Sequence, residues 1–150
     1  MAVWQRERIA EGDAVSLTSD ITTLLNADNT FKAAITAGAF DAVEISRPLT
    51  PGAFDTNDEI KPCALVKTGA EVNAGNKNYA VKTTLTIYLY QRSGYVALDA
   101  GLAQLYAVLH QRHSTNVWEI LFENETARAW DDALNCSLAV VRYSVFRKKV

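Results

Sequence analysis

Little in this sequence marks it for chemistry. Two histidines, two cysteines and three prolines are all that 150 residues contain. The motifs that are missing exclude as much as the scarce residue types. Neither GxGxxG nor GxxxxGK[ST] occurs, so no glycine-rich turn is available to cradle a phosphate before a helix. Gly-x-Ser-x-Gly is absent, and neither cysteine has the flanks of a catalytic thiol. Cys63 in PCALV and Cys136 in LNCSLAVV lie in apolar runs without CxxC spacing, which predicts buried free thiols. No run of 18 apolar residues occurs, and MAVWQRERIAEGDAV lacks the apolar stretch of a signal peptide, which predicts a protein made and kept in a cytosol without a membrane partner. A net charge of -2 offers no general attraction to nucleic acid or anionic lipid.

What is present is globular. Hydrophobic content of 49% and charged content of 21% exclude a disordered or fibrous class. A chain of this length fits one domain and buries roughly two-thirds of its unfolded surface. That domain is read as residues 14–150. Residues 1–13, with Trp4 followed by Arg6, Glu7 and Arg8, form an N-terminal arm that either reaches a partner or is a disordered end.

The clearest stretch is Lys82 to Arg112, where a period of two gives way to a period near 3.6. Val81, Thr83, Leu85, Ile87 and Leu89 alternate with Lys82, Thr84, Thr86, Tyr88 and Tyr90, as in a strand with one face on a core. The tyrosine face suits a covering layer or another subunit. After Gly94 a helix follows, whose Leu98, Leu102, Leu105 and Leu109 fall in a stripe about 60° wide that belongs on the sheet. Val96, Ala100, Ala103 and Ala107 make a second apolar stripe, which needs the N-terminal helices or another chain against it.

The remaining elements are read from weaker signals. Leu17, Ile21, Leu24 and Leu25 predict a helix capped by Asp13 or Ser16, and FKAAITAG predicts a second ending at Gly38. AVEIS, 42–46, reads as a short strand. Residues 47–62 hold all three prolines with Asp55, Asp58 and Glu59 and read as a long loop, of the kind that is more often functional than idle. CALVKT and a glycine- and asparagine-rich turn lead into the long strand as a hairpin. VWEILFENETA, 117–127, and residues 133–149 read as two closing strands. The order predicts an α+β fold, a mainly antiparallel sheet of about four to five strands with helices on one face.

Candidate chemistry is thin. His110 and His113 sit three apart near a helix end, where a zinc pair would need Glu119 or Glu123 as a third ligand; an interaction with the helix dipole is the simpler reading. Glu119, Glu123 and Glu125 alternate on one predicted strand face, as a solvated or subunit-facing surface does. Asp55, Asp58 and Glu59 lack the spacing of a calcium loop. The basic tail with Arg147, Lys148 and Lys149, beside Tyr143 and Phe146, is the candidate contact for DNA or an acidic partner. No cofactor, metal ligand set or catalytic residue is assigned.

The layout of residues 14 to 147 resembles the tail terminator or tail completion proteins of tailed bacteriophages. The resemblance is carried by LTSDITTLLNA, the loop from RPLTPGAF to KPCALVKT, TTLTIYLYQRSGYVALDAGLAQLYAVL, and the closing strands WEILFENE and LNCSLAVVRYSVF. It implies a non-enzymatic virion subunit, made in the bacterial host cytoplasm, that forms a ring, usually a hexamer, on the head-proximal end of the tail tube. There it would stop tube growth and offer a docking surface to neck or head completion proteins, with DNA passing through without sequence-specific binding. Under this reading Val96, Ala100, Ala103, Ala107, Tyr88, Tyr90 and the loop residues Pro51, Phe54, Asp55, Asp58 and Glu59 are contact surface. A neck or head completion protein shares the same expectations. The reading from another class is a small cytosolic enzyme or ligand-binding domain with Glu119, Glu123 and His110 or His113 around a cleft.

Overall fold

The computed structural model describes residues 14–73, 80–113, 117 and 119–148. The leading helix α1 runs Ala14–Ala27 and buries Leu17, Ile21 and Leu25 on one side, at the spacing read from the sequence. It begins ahead of Ser16, so that residue lies inside the helix, and Asp13 is outside the described residues. Asp28 separates it from α2, Asn29–Ala34, and caps α2 by accepting the Phe31 N–H on Oδ1 at 2.8 Å. The second helix stops four residues before Gly38, because the chain turns at Ile35 and Gly38 takes a φ of 82° that favours glycine. A Cβ there would lie 2.4 Å from Asn26 Oδ1. Asn26 needs that space: its amide accepts the Ala39 N–H and donates to the Ala39 carbonyl, pairing with the backbone as a neighbouring strand would.

That pairing fixes the first strand, β1, at Ala39–Phe40 rather than at residues 42–46. Residues 42–44 bend and 47–49 turn instead, with Thr50 Oγ1 accepting the Ser46 N–H and donating to the Ser46 carbonyl. β2, Cys63–Asn73, and β3, Ala80–Gln91, are the antiparallel hairpin; the turn joining them, 74–79, is outside the described residues. α3 spans Val96–Leu109, β4 Glu119–Asp131 and β5 Cys136–Lys148. The five strands lie in the order β1-β2-β3-β5-β4, antiparallel except for the β1–β2 pair. The fold is therefore the expected α+β one.

The helices pack over one sheet face. Leu85, Ile87 and Leu89 from β3 and Val141, Tyr143 and Val145 from β5 meet Leu98, Leu102, Leu105 and Leu109 of α3 and the buried side of α1. Gln91 stops the strand and starts the helix, its Oε1 accepting the N–H groups of Ala97 and Leu98 at 3.1 and 3.3 Å. Gly101 is the point of closest approach: an added Cβ would meet Ile35 Cδ1 at 2.9 Å and Leu89 Cδ1 at 3.3 Å. Gly101→Val is expected to destabilise the chain by about 1–3 kcal/mol through overpacking, read as a lower denaturant midpoint with an unchanged slope.

A smaller cluster forms on the opposite sheet face. Cys63, Leu65, Tyr90 and Cys136 are buried there under Ile45, Ala53 and Ile60 of the 41–62 segment. The long proline loop is thus a lid of the second core. Its backbone is organised by a 3-10 turn at Pro51–Ala53, the bridge between Phe54 and Ile60, and the Lys61 N–H to Ala53 carbonyl bond of 2.8 Å.

Candidate interaction surface

α3 turns its leucine stripe onto the sheet and leaves the other stripe outside. Val96 is 83% exposed, Tyr106 is 48% exposed, and Ala100, Ala103 and Ala107 are all exposed. The N-terminal helices do not cover this side. α2 lies beside α3, where Gln104 Nε2 donates to the Asp28 carboxylate at 3.2 and 3.3 Å, so Gln104 joins two helices. Beyond Tyr106 the helix side meets β4. Tyr95 donates its hydroxyl to the Ala129 carbonyl at 2.8 Å, and Arg128 pairs with Asp99 at 2.7 Å. Tyr106 stacks on His110 and meets the Phe122 ring edge-on, with centroids 4.5 and 5.7 Å away.

The residues proposed for chemistry are not brought together. His110 Nδ1 accepts the Phe122 N–H at 3.1 Å, fastening the helix end to β4, while His113 is exposed. The three glutamates do not share a strand face, because β4 bulges between Phe122 and Asn124. Beyond the bulge Glu125 stands opposite Val141, on the helix side, whereas Glu119 stands opposite Phe146 on the other. Glu123 is taken up by Lys82 at 3.2 Å and by the Ser144 hydroxyl. Among the described residues no group of three or more His, Cys, Asp and Glu could hold a metal ion.

The tyrosines and the loop account for each other. Tyr90 is 6% exposed and lies under this chain's own loop, so the layer expected over it comes from within the chain and not from a neighbour. Tyr88 is half-buried against the same cluster. In the loop, Pro51, Asp55 and Asp58 are exposed and Phe54 and Glu59 half-buried. Asp55 Oδ1 accepts the N–H groups of Asn57 and Glu59 at 2.8 and 3.0 Å, and the Glu59 bond above all holds its carboxyl below the usual carboxylate range. Arg47 stacks over the Phe54 ring at 5.0 Å and pairs with Asp58, and Arg92 reaches Glu59. The acidic cluster is thus largely matched by arginines of the same chain.

The basic tail is corrected at Arg147. Its side chain is 2% exposed, on the helix side of β5 opposite Val81, and paired with Glu71 of β2. A guanidinium in that position does not meet DNA. Lys149 and the Lys148 side chain lie outside the described residues. Sequence reading missed the Arg147–Glu71 pair because the partners are 76 residues apart and only the β2–β3–β5 registers bring them together.

Burial pushes the Cys63 thiol up to about 12 and the Cys136 thiol to about 11, and it raises the phenols of Tyr90 and Tyr143 as well. The protonated forms are favoured by folding. Their contribution to stability is complete below the unfolded thiol value of about 8.5 and is lost as the pH climbs toward 12. Denaturant midpoints are expected to fall steadily from pH 8.5 to 11, and neither thiol should react with an alkylating reagent at pH 8 until the chain unfolds.

No protein-family model matches this chain, and no curated protein matches it in sequence. Its fold is similar to that of a solved chain from the virion of the native gene transfer agent (GTA) particle, with 14% identity, a TM-score of 0.64, and coverage of 84% of this chain and 90% of that one. The likeness is one of architecture: the α+β arrangement described above also occurs in a chain of that virion.

Proposed function

We propose that this chain is a structural subunit of a phage-type virion that closes into a ring, probed most directly as a hexamer, at the head-proximal end of a tail tube. The observation that carries this reading is the outer face of α3. There Val96, Ala100, Ala103 and Ala107, with Tyr106 beside them, form an apolar strip that no element among the described residues covers. Apolar strips of this kind mark surfaces that meet other proteins. A ring built head to tail needs two different patches on each subunit, and the exposed loop tip around Pro51, Asp55 and Asp58 supplies a second. The ring would end tube growth, offer its outer side to neck or head completion proteins, and let DNA pass without reading its sequence. No residue has a catalytic role in this assembly.

Native mass by light scattering tests the reading, first on the purified protein and then with assembled tail tubes. A closed ring, alone or on the tube, is the expected result. A ring that binds neck or head components and ignores tubes would reassign the chain to head completion. A monomer indifferent to tubes would overturn the assembly reading altogether.

A further inference from the structure

The side of α3 that faces β4 is a groove of about 380 Å³. Leu102 and Phe122 form its base, Ala103 and Tyr106 its wall, and Asp99 and Glu125 its rim. Asp99 is neutralised by Arg128, but Glu125 has no ion pair among the described residues. Behind Phe122 lies Tyr143, fully buried, with its ring edge-on to Phe122. An apolar groove with an unmatched carboxylate at its rim suits a large flat side chain followed by positive charge.

Such a segment exists in the sequence before Ala14: Trp4, followed by Arg6, Glu7 and Arg8, two cations to one anion. We infer that the α3–β4 groove of one copy receives residues 1–13 of the next copy, with Trp4 in the groove and the arginines toward Glu125. The inference rests on the ring reading and names its joint. The topology favours a neighbour over the same chain. α1, from which the arm leaves, packs over β1 and β2 at one edge of the sheet, and the groove lies along β4 at the other. A head-to-tail ring in which those two edges meet brings the arm of one copy to the groove of the next. Thirteen extended residues span up to roughly 43 Å, against roughly 19 Å for the width of five strands, so length permits either destination and the experiment must separate them.

The test is a cysteine pair in the full chain, Gln5→Cys with Ala103→Cys, oxidised under mild conditions; the native thiols at Cys63 and Cys136 are buried and do not compete. Light scattering of the reduced protein reports whether the ring is present, and non-reducing denaturing electrophoresis reports the link. A ladder of covalent oligomers is expected, and none from Gln5→Cys with Thr84→Cys, which lies on the opposite sheet face. An oligomer without a 5–103 link, or equal ladders from both pairs, overturns the inference and leaves the ring standing. A 5–103 link within single chains overturns the neighbour's role. A monomer without a link overturns the inference and the ring together. Trp4→Ala is expected to raise the concentration of half-dissociation at least tenfold, and an unchanged value would remove Trp4 as the anchor.

Discussion

Ala103→Arg is expected to give a folded monomer. Ala103 stands in the middle of the exposed strip, between Ala100 and Ala107 and on the wall of the α3–β4 groove, so its replacement touches no core residue. Arginine is as good a helix former as most residues, and the melting temperature of the isolated chain should change little. At an assembled interface the same side chain would fill the space a neighbour needs and bury a guanidinium without a partner, which removes association by a factor of about 100 or more. Light scattering would read a single-chain mass at concentrations where the parent is oligomeric, with an unchanged circular dichroism spectrum. Thr84→Arg on the opposite sheet face is the control for charge alone. If the Ala103 variant assembles normally, the strip is not an interface, and the ring must be built from the loop and the sheet edges.

The largest expected effect on stability lies at the other end of the molecule. Arg147 is 2% exposed and its partner Glu71 is only partly buried, at 20% side-chain exposure. Removing the carboxylate with Glu71→Leu leaves a buried cation with its closest countercharge gone, at an expected cost of about 3 kcal/mol. For a chain of this size that lowers the melting temperature by about 6–12 °C. The double variant Glu71→Leu with Arg147→Met should recover most of the loss, because apolar residues of similar volume replace a buried pair without leaving an unmatched charge. Failure of the double variant to recover would mean that the loss comes from the shape of the β2 edge and not from the ion pair. The two variants share a contact, so their effects should be strongly non-additive.

The charge pattern of β4 shows how a single residue misleads a reading by period. Glu119, Glu123 and Glu125 are two and four apart, and an unbroken strand would put them on one side. One extra residue at the Phe122–Asn124 bulge moves Glu125 to the helix side, where it rims the groove, and leaves Glu123 with Lys82. A bulge depends on how two strands pair, which no local pattern of side chains records.

Local periodicity determined most of the framework. The alternation of β3, the leucine stripe of α3 and the spacing of Leu17, Ile21 and Leu25 were all legible, because each depends only on the geometry of one element and on which residues avoid water. The exposed alanine strip was legible for the same reason, as the side of α3 away from its leucines. Tertiary structure decided what covers each face. It put Tyr90 under the proline loop and Arg147 against Glu71, it set β1 at Ala39 through the amide of Asn26, and it gathered the groove from α3 and β4. Those outcomes depend on strand order, register and a bulge. They join residues far apart in the chain, whose meeting is fixed by the packed whole and by no single segment.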